Sequence, residues 1–470
     1  MEPGEEDGTV APGRLDATVR QDAAARDAAV PGRDAAPSPG RDAALPADSG
    51  RAAFDASSPV TDNKAWTAPA PRASCREGDR KDDALSGLNG DFRCNLDVIG
   101  QVPAPHFLSL AWHDDCAYVN GPDGTTVIRV AEDGTPTVTT TLTTLGFRSN
   151  WESMKASPVS GLLVGYESNG STLAVYDVAR DCAQPTLVSS IQLGPLGSLG
   201  HAGSFSPDGT LYYASSFFTG SVYAVDLAVP ERPVVVSETF ERGSHDLFIG
   251  QNGTRGYFAY SRIEAYLEGG IVAIMDLSDI QARKPGATGT LIHEFVWKDG
   301  AATQYPIAVR YGGRDHLIIT DELGSGNCND PEKPQWGYAH VFDIANERAP
   351  SLVSIVKTEA QHPGHCEQAG QANGGTGGFG LGTHYCNVDR LEQPRVLACG
   401  NWDAGLRVYD IRDPRRPREL AYFDTPTANM PGLARIQIER KQLWIAVTPG
   451  TFYVLNIAPD SELATILGQD

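Results

Sequence analysis

The chain of 470 residues lacks the short motifs that mark most enzymes and metal-binding modules. It contains no Gly-x-Ser-x-Gly, His-Glu-x-x-His or Walker-type pattern, so no common hydrolase, protease or nucleotidase signature is present. None of its eight cysteines falls in a Cys-x-x-Cys pair, which excludes zinc-ribbon and thioredoxin-type sites. An even number of cysteines without metal-ligand spacing favours disulfides and an exported protein.

Basic residues are scarce, with 38 Lys and Arg against 59 Asp and Glu and a formal net charge of −21. Such a surface repels phosphate backbones and anionic lipid headgroups, so we expect no nucleic-acid partner. The sequence also lacks a transmembrane run, and its opening residues MEPGEEDGTV do not form a signal peptide. The protein is therefore either cytosolic or exported by a signal upstream of this start, and the cysteines favour export.

Large apolar residues are nearly absent from residues 1–70, where RDAA recurs between prolines. Such a segment cannot bury enough surface to offset its ordering entropy. We therefore expect a disordered Asp/Ala/Pro-rich tail or tether, followed by a cysteine-containing lead-in at 71–95. The composition of the tail resembles the linkers of secreted Gram-negative lipoproteins, which implies a lipid anchor upstream of the given start.

The rest of the chain consists of repeated strand-like runs. The clearest unit ends in an acidic residue: STLAVYDV (171–178), GSVYAVDL (220–227), GGIVAIMDL (269–277), WGYAHVFDI (336–344) and GLRVYDI (405–411). At the end of a strand, this Asp can accept hydrogen bonds from nearby backbone amides. A hairpin precedes each run and one strand follows it. Each unit therefore has four strands, as in the blades of a β-propeller.

The units begin near residues 106, 149, 200, 244, 304, 383 and 433, and the last supplies only three strands. The run LDVIGQV (96–102) is expected to complete the last unit and close the ring, which removes exposed sheet edges. We therefore predict an all-β fold over residues 96–458: a seven-bladed β-propeller with four-stranded antiparallel blades. Six or eight blades are the alternative counts. Residues 459–470 are expected to form a C-terminal tail.

The segment GLRVYDIRDPRRPRELAYFDTP (405–426) resembles the LVIVD-repeat family of bacterial propeller proteins. HYCNVDR (384–390) and HAGSFSPDG (201–209) resemble inner strands of the same family. The resemblance covers residues 94–457, although VIRVAEDG (127–134) in the first repeat lacks the terminal Asp. It implies an exported, often lipid-anchored propeller of the cell envelope or the extracellular space, with no settled activity.

Aligning the predicted blades on their first hairpins places polar residues in register at the start of the first strand. Blades 1 to 6 contribute His106, Glu152, His201, His245, Tyr305 and His384, and blade 7 offers Leu433 or, with a shifted register, Arg435. First strands line the channel of a propeller, so these residues predict a ring at one mouth. Imidazoles with a carboxylate suit Zn, Cu, Fe or Mn. The alternative is that the imidazoles hydrogen-bond neighbouring backbone.

The insertions at 261–269, 321–337 and 359–383 are expected on the same face as the ring, where long loops often bind ligands. The last insertion holds His362 and His365, a weaker pair of candidate metal ligands.

Two candidate disulfides follow from position, with two buried free thiols as the alternative for Cys386 and Cys399. Cys386 and Cys399 face each other across a hairpin, and Cys328 and Cys366 lie in long loops of one face. Cys75, Cys94, Cys116 and Cys182 are expected to pair among themselves, with their partners left open.

Three functions fit these features. The first is an exported scaffold that binds a ligand or a protein through its loop-rich face. The second is a metal-dependent enzyme in which His201, His245 and His384 bind a divalent transition metal. In that enzyme His106 or Glu152 completes the metal site or acts as a general base, and Tyr305 orients the substrate. The third is an assembly platform that uses the sides of the blades.

Overall fold

A computed structural model describes residues 65–82, 90–105, 109–194, 200–216, 220–239, 244–260, 269–324, 328, 336–368, 380–426, 432–448 and 450–469. These residues form seven antiparallel sheets of at least four strands each, arranged as the blades of a β-propeller. The predicted fold class is thereby confirmed.

Each of the first four blades has its strands in chain order, from the channel outward. Blade 1 has β3 (Leu110–His113), β4 (Cys116–Asn120), β5 (Thr125–Val130) and β6 (Pro136–Leu142). Blade 2 has β7 (Lys155–Ala156), β8 (Leu162–Tyr166), β9 (Thr172–Asp177) and β10 (Thr186–Gln192). Blade 3 has β11 (Gly203–Phe205), β12 (Leu211–Ser216), β13 (Ser221–Asp226) and β14 (Val234–Thr239). Blade 4 has β15 (Ser244–Gly250), β16 (Arg255–Tyr260), β17 (Gly270–Asp276) and β18 (Thr290–Trp297).

Blade 5 again uses four consecutive strands, whereas blades 6 and 7 also use strands from the start of the described chain. Blade 5 has β19 (Thr303–Tyr311), β20 (Arg314–Asp321), β21 (Ala339–Asp343) and β22 (Ser351–Val356). Blade 6 has β23 (Thr383–Val388), β24 (Val396–Asn401), β25 (Gly405–Asp410), β26 (Arg418–Phe423) and the added edge strand β1 (Arg93–Cys94). Blade 7 has β27 (Arg435–Gln437), β28 (Gln442–Val447), β29 (Thr451–Ile457) and, as its outer strand, β2 (Leu96–Pro103).

The hydrophobic core lies between the blades. Apolar side chains on facing sheets form a buried cluster at each of the seven junctions between neighbouring blades, including the junction of blade 7 with blade 1. At that last junction Trp444 and Phe452 of blade 7 pack with Val119 and Ile128 of blade 1. Because each sheet buries both of its faces, its inner strands are almost continuously apolar. The closed ring fixes where the first strands begin.

The repeated acidic residue ends the third strand of each repeat that carries it. Its carboxylate accepts a hydrogen bond from the amide two residues later in five blades: Asp177 from Ala179, Asp226 from Ala228, Asp276 from Ser278, Asp343 from Ala345 and Asp410 from Arg412. The donor–acceptor distances lie between 2.8 and 3.1 Å. The local role proposed for this residue from sequence is therefore confirmed.

The two chain ends differ from the prediction. The lead-in begins earlier than expected, because Trp66 forms a parallel bridge with Ser354 and the Ala70 amide donates to the Lys357 carbonyl at 2.9 Å. These contacts pair backbone groups along the outer edge of blade 5. Residues 66–70 therefore do not belong to a disordered tail, while residues 1–64 lie outside the described residues.

The C-terminal end forms a helix, Glu462–Leu467, instead of the expected tail. Ser461 caps it by accepting the Ala464 amide at 3.1 Å. Leu463 and Ile466 are buried against blades 6 and 7, because an apolar face at helical spacing is available in this segment. A shorter helix, Ser278–Gln281, follows β17, and 3₁₀ turns lie at Gln251–Gly253 and Pro363–His365.

All eight cysteines are paired. Cys386 bonds to Cys399 across β23 and β24, and Cys328 bonds to Cys366, so both predicted disulfides are present. The remaining four form Cys75–Cys94, within the lead-in, and Cys116–Cys182, between blades 1 and 2. Four disulfides indicate a secreted or cell-envelope protein. Within the described residues, no helix is both long and apolar enough to cross a membrane.

Candidate functional site

Four of the predicted ring residues lie at one end of the channel. Glu152 precedes β7 and His201 precedes β11, while His245 and His384 lie in the first strands of blades 4 and 6. All four side chains are buried. A β-bulge at the start of β15 and of β23 interrupts the regular pairing there, and bulges of this kind redirect side chains. The ring is therefore built where the regular sheet gives way to the mouth.

The side chains of this ring meet through their terminal atoms. Glu152 Oε2 lies 2.9 Å from His201 Nε2, and Glu152 Oε1 lies 3.3 Å from His384 Nε2. The rings of His201 and His245 are 4.9 Å apart between centroids. One ligand atom each from Glu152, His201 and His245 can be chosen so that all three lie within 4.8 Å of one another. These donors are close enough to bind one metal ion.

Sequence reasoning missed a second carboxylate in this ring. Glu322 directly follows β20 of blade 5. Its carboxylate lies 3.6 Å from His245 Nε2 and 3.8 Å from His384 Nε2. The sequence feature that could have located Glu322 is an acidic residue at the point where the 321–337 insertion leaves the blade. It was missed because the alignment considered first strands, whereas Glu322 follows a second strand.

The assignment of Tyr305 to the ring register is wrong by one residue. Thr303 begins the first strand of blade 5 as Ser244 and Thr383 begin those of blades 4 and 6, so Gln304 is equivalent to His245 and His384. The reason is length: β19 has nine residues and β15 has seven, so counting back from the hairpin ends at the wrong position. Tyr305 instead packs on Tyr385, with ring centroids 5.2 Å apart.

A second polar cluster adjoins the ring. The Tyr385 hydroxyl donates to Asp246 Oδ2 at 2.7 Å and accepts from Gln304 Nε2 at 3.0 Å. Lys155 Nζ lies 3.4 Å from the same Asp246 oxygen and over the faces of Tyr305 and Tyr385. Burial raises the pKa of Asp246 to about 6, although Lys155 acts against this rise. Sequence reasoning did not identify Lys155, Asp246, Gln304 or Tyr385.

Electrostatics favour neutral imidazole at His245. Burial and the neighbouring His201 lower the pKa of His245 to about 3. Its Nδ1 lies 2.9 Å from the Thr303 carbonyl oxygen, to which an Nδ1–H donates. This bond leaves the lone pair on Nε2, the nitrogen nearest Glu322. A ring nitrogen oriented in this way by a backbone carbonyl is typical of metal-ligating histidine.

Glu152 carries negative charge despite its burial. Desolvation alone would raise the pKa of the Glu152 carboxyl, but His201 and His384 outweigh it and hold the pKa well below its usual range. The site thus combines an ionised carboxylate with imidazole donors. Both are ligand types that divalent transition metals accept.

Strained backbone and two indole side chains lie next to the ring of donor residues. Trp151, next to Glu152, has φ of 40°, and Ala302, next to Thr303, has φ of 48°. Non-glycine residues avoid this left-handed region unless the surrounding structure enforces it, and such strain concentrates at functional sites. The indole of Trp151 packs on His201 at 4.9 Å, and that of Trp402 packs on His384 at 4.8 Å. These contacts restrict how the two imidazoles can turn.

The other sequence candidates do not join this cluster in the described part of the chain. His106 lies outside the described residues. In blade 7, Leu433 is half-buried, and Arg435 stacks on Trp444 and donates to the Asp114 carbonyl. His362 Nδ1 accepts the Gly364 amide and His365 Nδ1 lies 3.0 Å from the Glu359 carbonyl oxygen, so this pair caps and closes a turn.

The loop-rich face is described in part. Residues 261–268, 325–327, 329–335 and 369–379 of the predicted insertions lie outside the described residues. In the remainder, Trp336, Tyr338, Ala360 and Leu381 form a buried cluster beside the Cys328–Cys366 disulfide. The second and third insertions are therefore joined by a disulfide and by apolar packing.

Comparisons with known proteins define the fold. No protein-family model and no curated protein sequence matches the chain. Among solved structures it is similar to Kuenenia stuttgartiensis hydrazine synthase, with a TM-score of 0.50 and 11% identity over 79% of this chain and 96% of that one. The β-propeller domain of Myceliophteria thermophila Cps50 (Swd1) matches with a TM-score of 0.51 and 10% identity, covering 76% and 98%.

A chain of the mitotic checkpoint complex matches with a TM-score of 0.51 and 12% identity, covering 77% of this chain and 95% of that one. At these identities the similarity establishes a β-propeller and nothing about activity. The class defined by fold and disulfides is an extracytoplasmic β-propeller.

Proposed function

We propose that this protein is an exported β-propeller that holds a divalent transition-metal ion on its axis, at the mouth of the central channel. The observation that carries the proposal is the convergence of donor atoms from Glu152, His201 and His245 within 4.8 Å. His384 extends the set through its contact with Glu152 at 3.3 Å. The donors come from separate blades, so the fold itself assembles them.

Burial favours a bound cation over an empty polar cluster. Folding removes two carboxylates and three imidazoles from solvent at this mouth. Burying a charge without compensation costs several kcal/mol per ion, in order of magnitude. A divalent ion would compensate the carboxylates and could be bound by the Nε2 atoms of neutral imidazoles. The other described grouping with metal-ligand spacing, Cys75, Asp79 and Cys94, cannot act in the same way because its sulfurs form a disulfide.

Elemental analysis of the purified full chain tests the proposal. We expect about one equivalent of a first-row transition metal, and loss of that metal in the His201→Ala/His245→Ala variant. The matched control is His362→Ala/His365→Ala, which removes two imidazoles from the loop pair and should keep the metal. A wild-type protein that stays metal-free after incubation with Mn²⁺, Fe²⁺, Co²⁺, Ni²⁺, Cu²⁺ and Zn²⁺ in turn would refute the proposal.

A metal-dependent enzyme is the second candidate, and the cluster of Lys155, Asp246 and Tyr385 favours it. A hydrogen-bonded tyrosine and a buried carboxylate beside a metal site are groups that can hold and transfer protons. A bound ion would supply Lewis acidity at the mouth. Turnover of any substrate by the metal-loaded protein, lost in Tyr385→Phe while the metal remains bound, would support this candidate.

The remaining expectations concern location and partners. We infer that the propeller belongs to the LVIVD-repeat type, that a lipid anchor or signal precedes the given start, and that a ligand or protein partner binds the loop-rich face. The disulfide-linked loops support such a face, because Cys328–Cys366 limits their motion. Fractionation of cells that express the full gene, with protease treatment of intact cells, tests the location.

A further inference from the structure

Glu322 and Glu152 both contact His384 in the axial site. Glu152 contacts His201 and His384, and Glu322 contacts His384 and His245. The rings of His201 and His245 then adjoin each other. Glu152, His201, His245, Glu322 and His384 thus form a closed cycle, and they come from blades 2, 3, 4, 5 and 6 in that order.

Neighbouring members of this cycle are as far apart as two ligands of a single ion can be. For metal–ligand bonds of about 2.1 Å, adjacent donors of an octahedral ion lie about 3.0 Å apart and opposite donors about 4.2 Å apart. The four nitrogen–oxygen distances in the cycle are 2.9, 3.3, 3.6 and 3.8 Å. All four fall between those limits or within 0.1 Å of them. Among the described residues, the donor atoms that all lie within 4.8 Å of one another belong to Glu152, His201 and His245, so Glu322 and His384 must move inward to reach the same ion.

The backbone of blade 5 fixes Glu322 at this position. The Glu322 amide donates to the Ala302 carbonyl at 3.0 Å. The preceding residue, Asp321, is held through its side chain by Trp297 Nε1 at 3.3 Å and by His340 Nδ1 at 3.0 Å. Neighbouring residues of an extended chain point to opposite sides. Anchoring Asp321 on the face toward blade 4 therefore directs Glu322 to the opposite face, where His384 of blade 6 lies 3.8 Å away.

We infer that Glu322 is a fifth protein ligand, so that the site presents three imidazoles and two carboxylates to a six-coordinate ion and leaves one position open. This inference rests on the proposed function of metal binding. Five converging donors favour ions that accept octahedral coordination with mixed nitrogen and oxygen ligands, such as Mn²⁺, Fe²⁺, Co²⁺ or Ni²⁺. They disfavour a tetrahedral zinc site, which takes four ligands.

Mn²⁺ titration of the full chain tests the inference. Electron paramagnetic resonance gives the affinity, and water-proton relaxation gives the number of exchangeable waters on the bound ion. We expect one water for the wild type. In Glu322→Gln, which keeps the size of the side chain, we expect at least 10-fold weaker binding and two waters. The control is Glu347→Gln, which removes an ion pair with Arg255 at 2.7 Å, in the turn after β21, and should leave both values unchanged.

The outcomes separate the two proposals. If the wild type binds no Mn²⁺ and no other ion, the proposed function fails. If it binds Mn²⁺ but Glu322→Gln matches it in affinity and hydration, the function stands and the fifth ligand is refuted. The absorption spectrum of Co²⁺ bound to the wild type checks the coordination without any variant. Weak visible bands support five or six ligands, whereas intense bands of a tetrahedral ion refute the inference.

Discussion

Two buried histidine clusters in this molecule use the same residue types to opposite effect. In the axial ring, three imidazoles share two carboxylates, and the pKa of His245 falls to about 3. In blade 5, His340 has a carboxylate at each nitrogen, Asp321 Oδ2 at 3.0 Å from Nδ1 and Asp299 Oδ1 at 3.4 Å from Nε2. Burial alone would lower the pKa of His340, but the two carboxylates raise it to about 9.

The difference lies in the charge of the imidazoles. His340, with a pKa of about 9, is protonated at neutral pH and carries a positive charge between two carboxylates. The imidazoles of the ring exceed the carboxylates in number, and His245 is neutral. A cation bound at the ring, as proposed above, would add the positive charge that a neutral imidazole lacks. Counting donors and charges therefore separates a structural histidine from a candidate metal ligand.

The largest expected effect comes from breaking the complete cluster. His340→Ala leaves Asp321 buried without its charged partner, and removal of one member of a buried pair costs about 3–5 kcal/mol. The free energy of unfolding from denaturant titration measures this loss. His316→Ala is the matched control, because His316 is equally buried but bonds through Nδ1 to the Arg314 carbonyl. Equal losses in the two variants would show that the charge of His340 contributes nothing.

The second largest expected effect is stabilisation of the folded state by bound metal, which should depend only on the ring residues. A bound metal stabilises the folded state by about 4 kcal/mol when its free concentration is 1,000 times the dissociation constant. We expect this increase in the wild type and in His340→Ala. His201→Ala/His245→Ala should lose it. Melting curves with and without Mn²⁺ measure the increase, and its persistence in the double variant would contradict the assignment of the site.

Alkaline pH should weaken the blade 5 cluster. The folded pKa of His340, about 9, lies above the unfolded value near 6.5, so the stabilisation is fully present below about pH 6.5 and is lost as the pH rises through 9. The loss is on the order of 3 kcal/mol for this shift. Denaturant titrations at pH 7 and pH 10 should show a larger decrease for the wild type than for His340→Ala. Equal decreases in the wild type and in His340→Ala would contradict the assignment of a positive charge to His340.

The smallest effect is expected from the ring without metal. His245→Gln in metal-free protein removes the bond to the Thr303 carbonyl and should cost about 1 kcal/mol, the typical contribution of one hydrogen bond. Denaturant titration in the presence of a chelator measures it. A loss as large as that of His340→Ala would mean that the ring, like the blade 5 cluster, is a structural network.

The repeated features of this fold could be predicted from sequence because they are local. Asp177 and its equivalents accept hydrogen bonds from amides two residues away, so each repeat carries its own signal. His201, His245 and His384 could be aligned because the repeats set their register. Glu322 and Gln304 could not be located, since a second-strand end and a two-residue difference in strand length appear only when the sheets are paired.

The lead-in and the C-terminal helix escaped prediction for another reason. Trp66–Ala70 contacts blade 5 mainly through backbone groups, which leave no pattern of side chains. The helix Glu462–Leu467 is shorter than two turns, and its burial depends on a surface formed by blades 6 and 7. In both segments the tertiary surroundings determine the structure.

Blade 7 combines strands from the two ends of the described propeller, and this has a consequence for biosynthesis. Its outer strand, β2, is synthesised long before its partner β29, the last of the described strands. The circle of sheets therefore cannot be completed until β29 has been made. Until β29 pairs with β2, the seven sheets form an open array with unpaired strand edges.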